Sequence, residues 1–432
     1  MKRAVVVGSG AGGATVAREL AGRFDVTILE AGGNFRPFPT ALSCLEWLKA
    51  AHIFLDERQI QMFFPSMRVR KTDGMVVVTG TGLGGSTTIS TGTAMRRDQD
   101  LKALGIDLDE EFEEVAREIP VNTGHSRKWL PSTRRLFEIC EEMRLDPQPA
   151  PKMVDPERCK LCGRCVMGCG NAAKWDSRRY IEEACAAGAR VLTGCPVERI
   201  EIREGTARGV HARFGLMRRF FPADVVVLAA GGIGTAAILG NTGLHAEPRL
   251  TVDPVLCIAA EWPDALQCNE IPLPFIVERP GYMIAPYFDL LSFLFNREWR
   301  HAARHTLVLM VKLADASEGV VLGKKIDKKL TEADRRTLDE ALALAREILD
   351  RFGAKASVLG TLNAGHPAGT VPLTSCNLHP AGLPDNVWVA DASLLPRALG
   401  APQILTIVAL AKRVAKTILA VEHAAPAEVS AF

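Results

Sequence analysis

Eleven residues carry the most chemistry: Cys159-Lys-Leu-Cys162-Gly-Arg-Cys165-Val-Met-Gly-Cys169. Two-residue gaps followed by a three-residue gap are the thiolate spacing that wraps an iron–sulfur cluster, and Gly163 and Gly168 let the turns close. A zinc site pairs two Cys-x-x-Cys knuckles at longer separation, so a [4Fe–4S] cluster is the preferred reading over zinc or uncommitted thiols. The fourth ligand is Cys169 or a remote thiol such as Cys195, with Cys169 preferred. A second chemical signal stands at the N-terminus, where Gly8-Ser-Gly10-Ala-Gly-Gly13 follows an apolar strand and opens a helix. That context suits a dinucleotide: one glycine makes the turn, one lets backbone approach a pyrophosphate, and one packs helix on strand. The helix N-terminus presents free N–H groups to the phosphates. Glu30, closing the second strand, is placed to accept hydrogen bonds from ribose hydroxyls.

The elements that position these groups follow from pattern. Strand, glycine turn, helix and strand run from Ala4 to Leu29, with the helix expected over Ala14 to Ala21. Helices are expected over Leu101 to Ile119, Ser132 to Met143, Arg178 to Ala187 and Thr331 to Arg351. Pro147 to Pro156 reads as a linker into the cysteine run. Short strands at Arg190 to Leu192 and Val197 to Ile202 precede a hairpin over Ala207 to Phe221. The buried strand Asp224 to Leu228 then meets Ala229-Ala230-Gly231-Gly-Ile-Gly234, a second strand-to-glycine-to-helix junction. Strands at Leu307 to Leu313 and Val387 to Ala390, and a closing helix over Pro402 to Val421, complete the pattern. The fold class is α/β: a discontinuous Rossmann-like domain (residues 1–100, 155–245 and 383–425) and a substrate domain (101–154 and 246–382) built on an antiparallel sheet plus helices.

Composition narrows the function. With 432 residues, 47% hydrophobic and 24% charged, the chain buries a large core. A net charge of +2 makes no case for nucleic acid. The 11 cysteines, four of them clustered, suggest a reducing compartment and a metal centre rather than disulfides. No targeting segment and no membrane span of ~20 apolar residues is read, so a cytoplasmic location is expected. Tyr282 to Phe295, rich in apolar residues, reads as core or substrate-pocket wall, with attachment to a membrane surface the lesser alternative.

A second glycine-rich loop, Gly80-Thr-Gly82-Leu-Gly84-Gly85-Ser86-Thr87-Thr-Ile-Ser90, favours FAD over NAD, because the longer cofactor needs backbone support further along. At these residues the chain resembles the glucose–methanol–choline (GMC) oxidoreductases, whose first signature Gly82, Gly84, Gly85, Ser86 and Thr87 match. Ala230-Gly231 through Leu244 resembles a shortened second signature. Gly365-His366-Pro-Ala-Gly-Thr370 is similar to the catalytic-histidine motif, and Asn386 through Ser393 to the C-terminal flavin-binding strand. The resemblance implies FAD, with Val197 at the adenine and Asp391, Ala392, Gln403 and Ile404 at the flavin. It implies His366 as the base or acid of hydride transfer, a role its near-neutral pKa suits. It also makes Ala401 a departure, since a second histidine or an asparagine is usual before that proline. Some relatives carry a comparable cysteine insertion ahead of the Lys174-Trp-Asp-Ser177 segment. Only about 248–363 is poorly covered.

The expected function is hydride transfer between a hydrophobic CH–OH substrate and flavin, with electrons relayed through the cluster to a non-oxygen acceptor. An electron-carrier protein or partner subunit is the expected recipient. The alternatives are a flavin/iron–sulfur reductase of a C=C or C=O bond, and a non-catalytic electron-transfer subunit.

Overall fold

The structure, a computed structural model, describes residues 1–38, 42–244, 246–323 and 325–424. The N-terminal run Arg3–Val7 is buried along almost its whole length and can only be the centre of a covered sheet. Five parallel strands form that sheet in the order Val387–Val389, Val225–Leu228, Arg3–Val7, Asp25–Leu29, Arg190–Leu192. The glycine turn after Arg3–Val7 and the one after Val225–Leu228 therefore lie side by side. The first helix, Ala11–Leu20, packs against the closing helix, Ile404–Ala424, and against Arg178–Ala186.

A second, nine-stranded sheet runs Met67–Thr72, Met75–Gly80, Asn363–Ala364, Val255–Glu261, Thr306–Leu313, Tyr282–Pro286, Phe275–Arg279, Gln148–Pro149, with Ala356–Leu359 also on Val255–Glu261. Its pairings are antiparallel except that of Asn363–Ala364 with Met75–Gly80. Helix Glu332–Phe352 covers one face with Leu338, Leu342, Ala345 and Leu349, the spacing of a single helical stripe. Its ends are fixed locally. Thr331 and Asp334 form a reciprocal capping box, and Gly353 closes the C-terminus at φ 92°. Tyr282–Pro286 is a buried strand and Leu290–Phe295 a short, mostly buried helix, so the apolar run is core.

Three expectations are corrected. The first helix begins at Ala11, inside the glycine run, because Gly12 and Gly13 are themselves helical and tightly packed. The helix expected over Leu101 to Ile119 is two, Gln99–Ala103 and Asp109–Glu118, interrupted by Gly105 at φ 80°. The Pro147 to Pro156 linker contributes the edge strand Gln148–Pro149.

Candidate active site

The glycines of the first turn divide the work as their spacing implied. Gly8, at φ 103°, makes the turn, and its N–H donates to Leu29 O at 2.9 Å. A Cβ on Gly12 would sit 1.5 Å from Ala390 O, and one on Gly13 2.1 Å from Gly8 O, so both are packing glycines. A Cβ on Gly10 would meet nothing within 4 Å. Gly10 is also the N-cap of the helix and offers no side-chain cap to the first-turn amides. Gly231, at φ 76° with equally open surroundings, is its neighbour across the sheet. This arrangement fits a dinucleotide pyrophosphate.

Glu30 is buried and does something the sequence did not disclose. Its carboxylate accepts from Ser9 N (3.1 Å) and Ser9 Oγ (2.6 Å), from Gly32 N (2.9 Å) and from Gly82 N (3.0 Å). It therefore stitches the first glycine loop, its own loop and the second glycine loop together. That second loop presses so close that a Cβ on Gly85 would lie 2.9 Å from Gly10 Cα. Ser86 Oγ accepts from Gly80 N, and Thr87 Oγ donates to Gly84 O and meets Ser177 Oγ at 3.1 Å. Ser177 reaches Ser9 O and Gly84 O, locking the loops. Asp391 accepts from Gly231 N (2.8 Å) and Thr235 Oγ (2.6 Å), which ties Ala230-Gly231 to the C-terminal strand; burial pushes its carboxyl up. Ala392 packs on Ala368 and Leu395. Val197 opens its strand two residues after Cys195, whose N–H donates to Glu30 O, and so stands beside the second strand's end.

Cys159, Cys162, Cys165 and Cys169 are unpaired, half-buried and line one cavity with Val154, Leu161, Ala173 and Ile271. Cys195 is buried elsewhere and does not line it. Among the described residues, no group of three His, Cys, Asp or Glu side chains is placed to hold a single metal ion. Ligands of an iron–sulfur cube bind different irons, so four thiols around one cavity still suit a cluster. Burial pushes the Cys165 thiol up to about 11, against the pull of Lys174 and Lys152. Lys174 is buried, and its ammonium donates to Thr88 O (2.8 Å), Ser90 O (2.7 Å), Cys165 O (3.0 Å) and Thr87 O (3.3 Å). One lysine thus joins the cysteine loop to the second glycine loop.

His366 lies between Asn363–Ala364 and Thr370, and its side chain keeps 29% of its surface exposed. The register places Val255 beside both Asn363 and Lys312. Asp253, Lys312 and His366 therefore meet at one end of three adjacent strands. His366 Nδ1 is 3.0 Å from Asp253 Oδ2 and 3.0 Å from Lys312 Nζ. Lys312 Nζ also donates to Asp253 O at 3.1 Å. Asp253, at φ 49°, is held by Gly400 N (3.0 Å) and approached by Gln403 Nε2 (3.5 Å), while Gln403 reaches His366 O. Asp315, paired with the buried Lys328 at 2.7 Å, accepts from Asp253 N. Burial, then the Lys312 charge, push the imidazole pKa of His366 down. Burial would raise the Asp253 carboxyl, but Lys312 and His366 hold it below the ordinary range.

None of Asp253, Lys312, Asp315 or Lys328 was picked out from sequence. The available signal was a lysine inside Leu307-Val-Leu-Met-Val-Lys312-Leu313, where an apolar residue belongs. Ala401 is buried in an apolar cluster that also takes in the partly exposed Val78, Ile89, Val166 and Tyr287. The second glycine loop, the cysteine loop and the closing turn thus each contribute to one apolar cluster. Ile404, half-buried, opens the closing helix beside it.

The family profile described as GMC oxidoreductase matches residues 3–257. An uncharacterized protein of Methanocaldococcus jannaschii is 24% identical over 424 residues, covering 96% of this chain and 99% of its own. An uncharacterized GMC-type oxidoreductase of Mycobacterium tuberculosis is 32% identical over 266 residues, 57% of this chain and 40% of that protein. A long-chain-alcohol oxidase of Arabidopsis thaliana is 23% identical over 94% of this chain and 65% of its own length. The crystal structure of pyridoxine 4-oxidase from Mesorbium loti superposes with a TM-score of 0.74 at 16% identity, covering 97% of this chain and 99% of that one.

Proposed function

The chain belongs to the glucose–methanol–choline oxidoreductase family, and from that premise we propose that it oxidises the CH–OH group of a hydrophobic substrate and releases the electrons to a non-oxygen acceptor. Bound FAD supplies the hydride acceptor, and a [4Fe–4S] cluster on the four clustered cysteines supplies a one-electron exit. The amides after Gly8 and Gly10, with Gly231, bind the phosphates. Gly82 to Thr87, Asp391 and Ala392 frame the rest, and Glu30 fixes the loops that enclose it.

With Nδ1 engaged by Asp253 and Lys312, Nε2 of His366 is the edge left for the substrate hydroxyl, from which it takes the proton. The apolar cluster that includes Val78, Ile89, Val166, Tyr287 and Ala401 favours an apolar substrate, in line with the name of the plant relative.

The observation that carries the electron exit is Lys174, whose single ammonium bridges Cys165 O and the carbonyls of Thr87, Thr88 and Ser90. Lys174 thus touches both the thiol loop and the loop assigned to flavin. The test is anaerobic absorbance of the purified protein, with iron and acid-labile sulfide assays, during a screen of aliphatic and aromatic alcohols. Flavin bleaching together with about four irons and four sulfides per chain is expected. Flavin without sulfide would refute the relay. Bleaching only by an external reductant would reverse the direction.

A further inference from the structure

The geometry points to Lys312 and Asp253 supplying, through Nδ1 of His366, the second acid–base function that Ala401 cannot perform. This inference rests on His366 being the base of the proposed oxidation. Gly400 and Gln403, which flank Ala401, both direct hydrogens at the Asp253 carboxylate, so the lysine–aspartate pair sits on the turn where a side chain is missing. Behind it stands the Asp315–Lys328 pair, at 2.7 Å.

Nδ1 faces an acceptor and a nitrogen at the same distance, 3.0 Å, and it cannot donate and accept at once. With Lys312 as an ammonium, an N–H of the lysine occupies the Nδ1 lone pair and the ring proton sits on Nε2. That tautomer can donate to a substrate oxygen but cannot take a proton from it. With Lys312 as an amine, Nδ1–H points at Asp253 and the lysine, and Nε2 carries the free lone pair of a base. The first state holds one proton more than the second, and the ring tautomer is exchanged between them.

Oxidation then runs as a relay. The substrate O–H bond breaks and its proton bonds to Nε2. The Nδ1–H bond breaks and that proton bonds to the Lys312 amine, giving the ammonium. With FAD held by the glycine loops, the C–H electron pair would be accepted as hydride by the cofactor while the C=O double bond forms. The imidazole ends neutral with its tautomer exchanged, and the lysine holds the proton until it is lost to solvent. Burial favours the uncharged amine of Lys312, whereas the Asp253 carboxylate 3.5 Å from Nζ favours the ammonium, so opposing forces act on the proton the relay moves. Asp253 is a positioning residue, holding both nitrogens in line.

The test is ¹⁵N NMR of histidine-labelled protein across pH, with the His366 signals assigned by His366→Gln, beside steady-state rates. In the wild type the Nδ1 and Nε2 shifts should exchange character in a step distinct from protonation of the ring. In Lys312→Met they should stay in one neutral tautomer, kcat should fall about 10²-fold or more, and one limb of the pH profile should disappear. Lys312→Arg, which holds a charge but does not release a proton, should not restore the rate. Ethylamine should partly restore Lys312→Ala. Rescue by arginine, or unchanged tautomers in Lys312→Met, would overturn the relay. If the variants fail to fold, a wild-type His366 that titrates once, as an ordinary imidazole, overturns it as well. Loss of the alcohol-oxidation reading shows instead as His366→Ala retaining full rate, while the NMR result stands independently.

Discussion

At the scale of single residues, the two glycines of the first turn make opposite predictions. Gly12→Ala forces a Cβ onto Ala390 O, 1.5 Å away, and should destabilise the fold by about 3 kcal/mol, read by thermal unfolding. Gly10→Ala meets nothing within 4 Å and should unfold like the wild type, yet purify with little flavin. The turn, approach and packing roles were legible in sequence; the tight packing of Gly12 was not, because it depends on which backbone from residue 390 passes behind. Glu30 shows the same limit. Its place at the end of the second strand was plain, while its four hydrogen bonds to residues 9, 32 and 82 come from loops up to 52 positions away from it. Asp253 and Lys312 escaped notice for a related reason. Neither lies in a motif, and only strand register brings them to His366.

At the scale of elements, the clamp made by Lys174 should be breakable. Lys174→Met leaves four carbonyls without their shared donor. The expected outcome is a protein that keeps its flavin but loses most of its iron on gel filtration, measured by metal analysis. A second junction is pH-sensitive. His125 is buried, with Nε2 to Ala150 O at 2.8 Å and Nδ1 accepting from Trp129 at 3.1 Å, and burial pushes its pKa down to about 4. The unfolded chain binds this proton near 6.5, so the unfolded state carries more protons between those values. The stability contribution is complete above pH 6.5 and is lost as pH falls toward 4, in total about 3 kcal/mol. His125→Gln should flatten the Tm-against-pH curve across that window. Most elements could be read from periodicity and caps, as in Thr331 and Gly353 around the long helix. The break at Gly105 could not, because the charged, apolar-striped pattern continues on both sides of it.

At the scale of the whole molecule, segments far apart in sequence are held by charge as well as by sheet pairing. Lys412, 2% exposed, meets Glu19, Glu114 and Glu118 at 2.8, 3.1 and 2.9 Å, joining the first helix, Asp109–Glu118 and the closing helix. Lys412→Met removes the shared cation and should cost about 2 kcal/mol, below the loss for a fully buried pair because the carboxylates keep roughly a quarter of their surface in water. Denaturant unfolding in low and high salt measures it, and the wild-type excess should shrink with salt. The parallel sheet also completes itself late. Val387–Val389 is its edge strand beside Val225–Leu228, and Asp391 secures Gly231. A ribosome-bound chain that has emerged only as far as residue 380 already contains both glycine turns, all four clustered thiols and His366, but it lacks the strand that closes their sheet. Closure of the sheet beneath the two glycine turns consequently waits for the C-terminal strand.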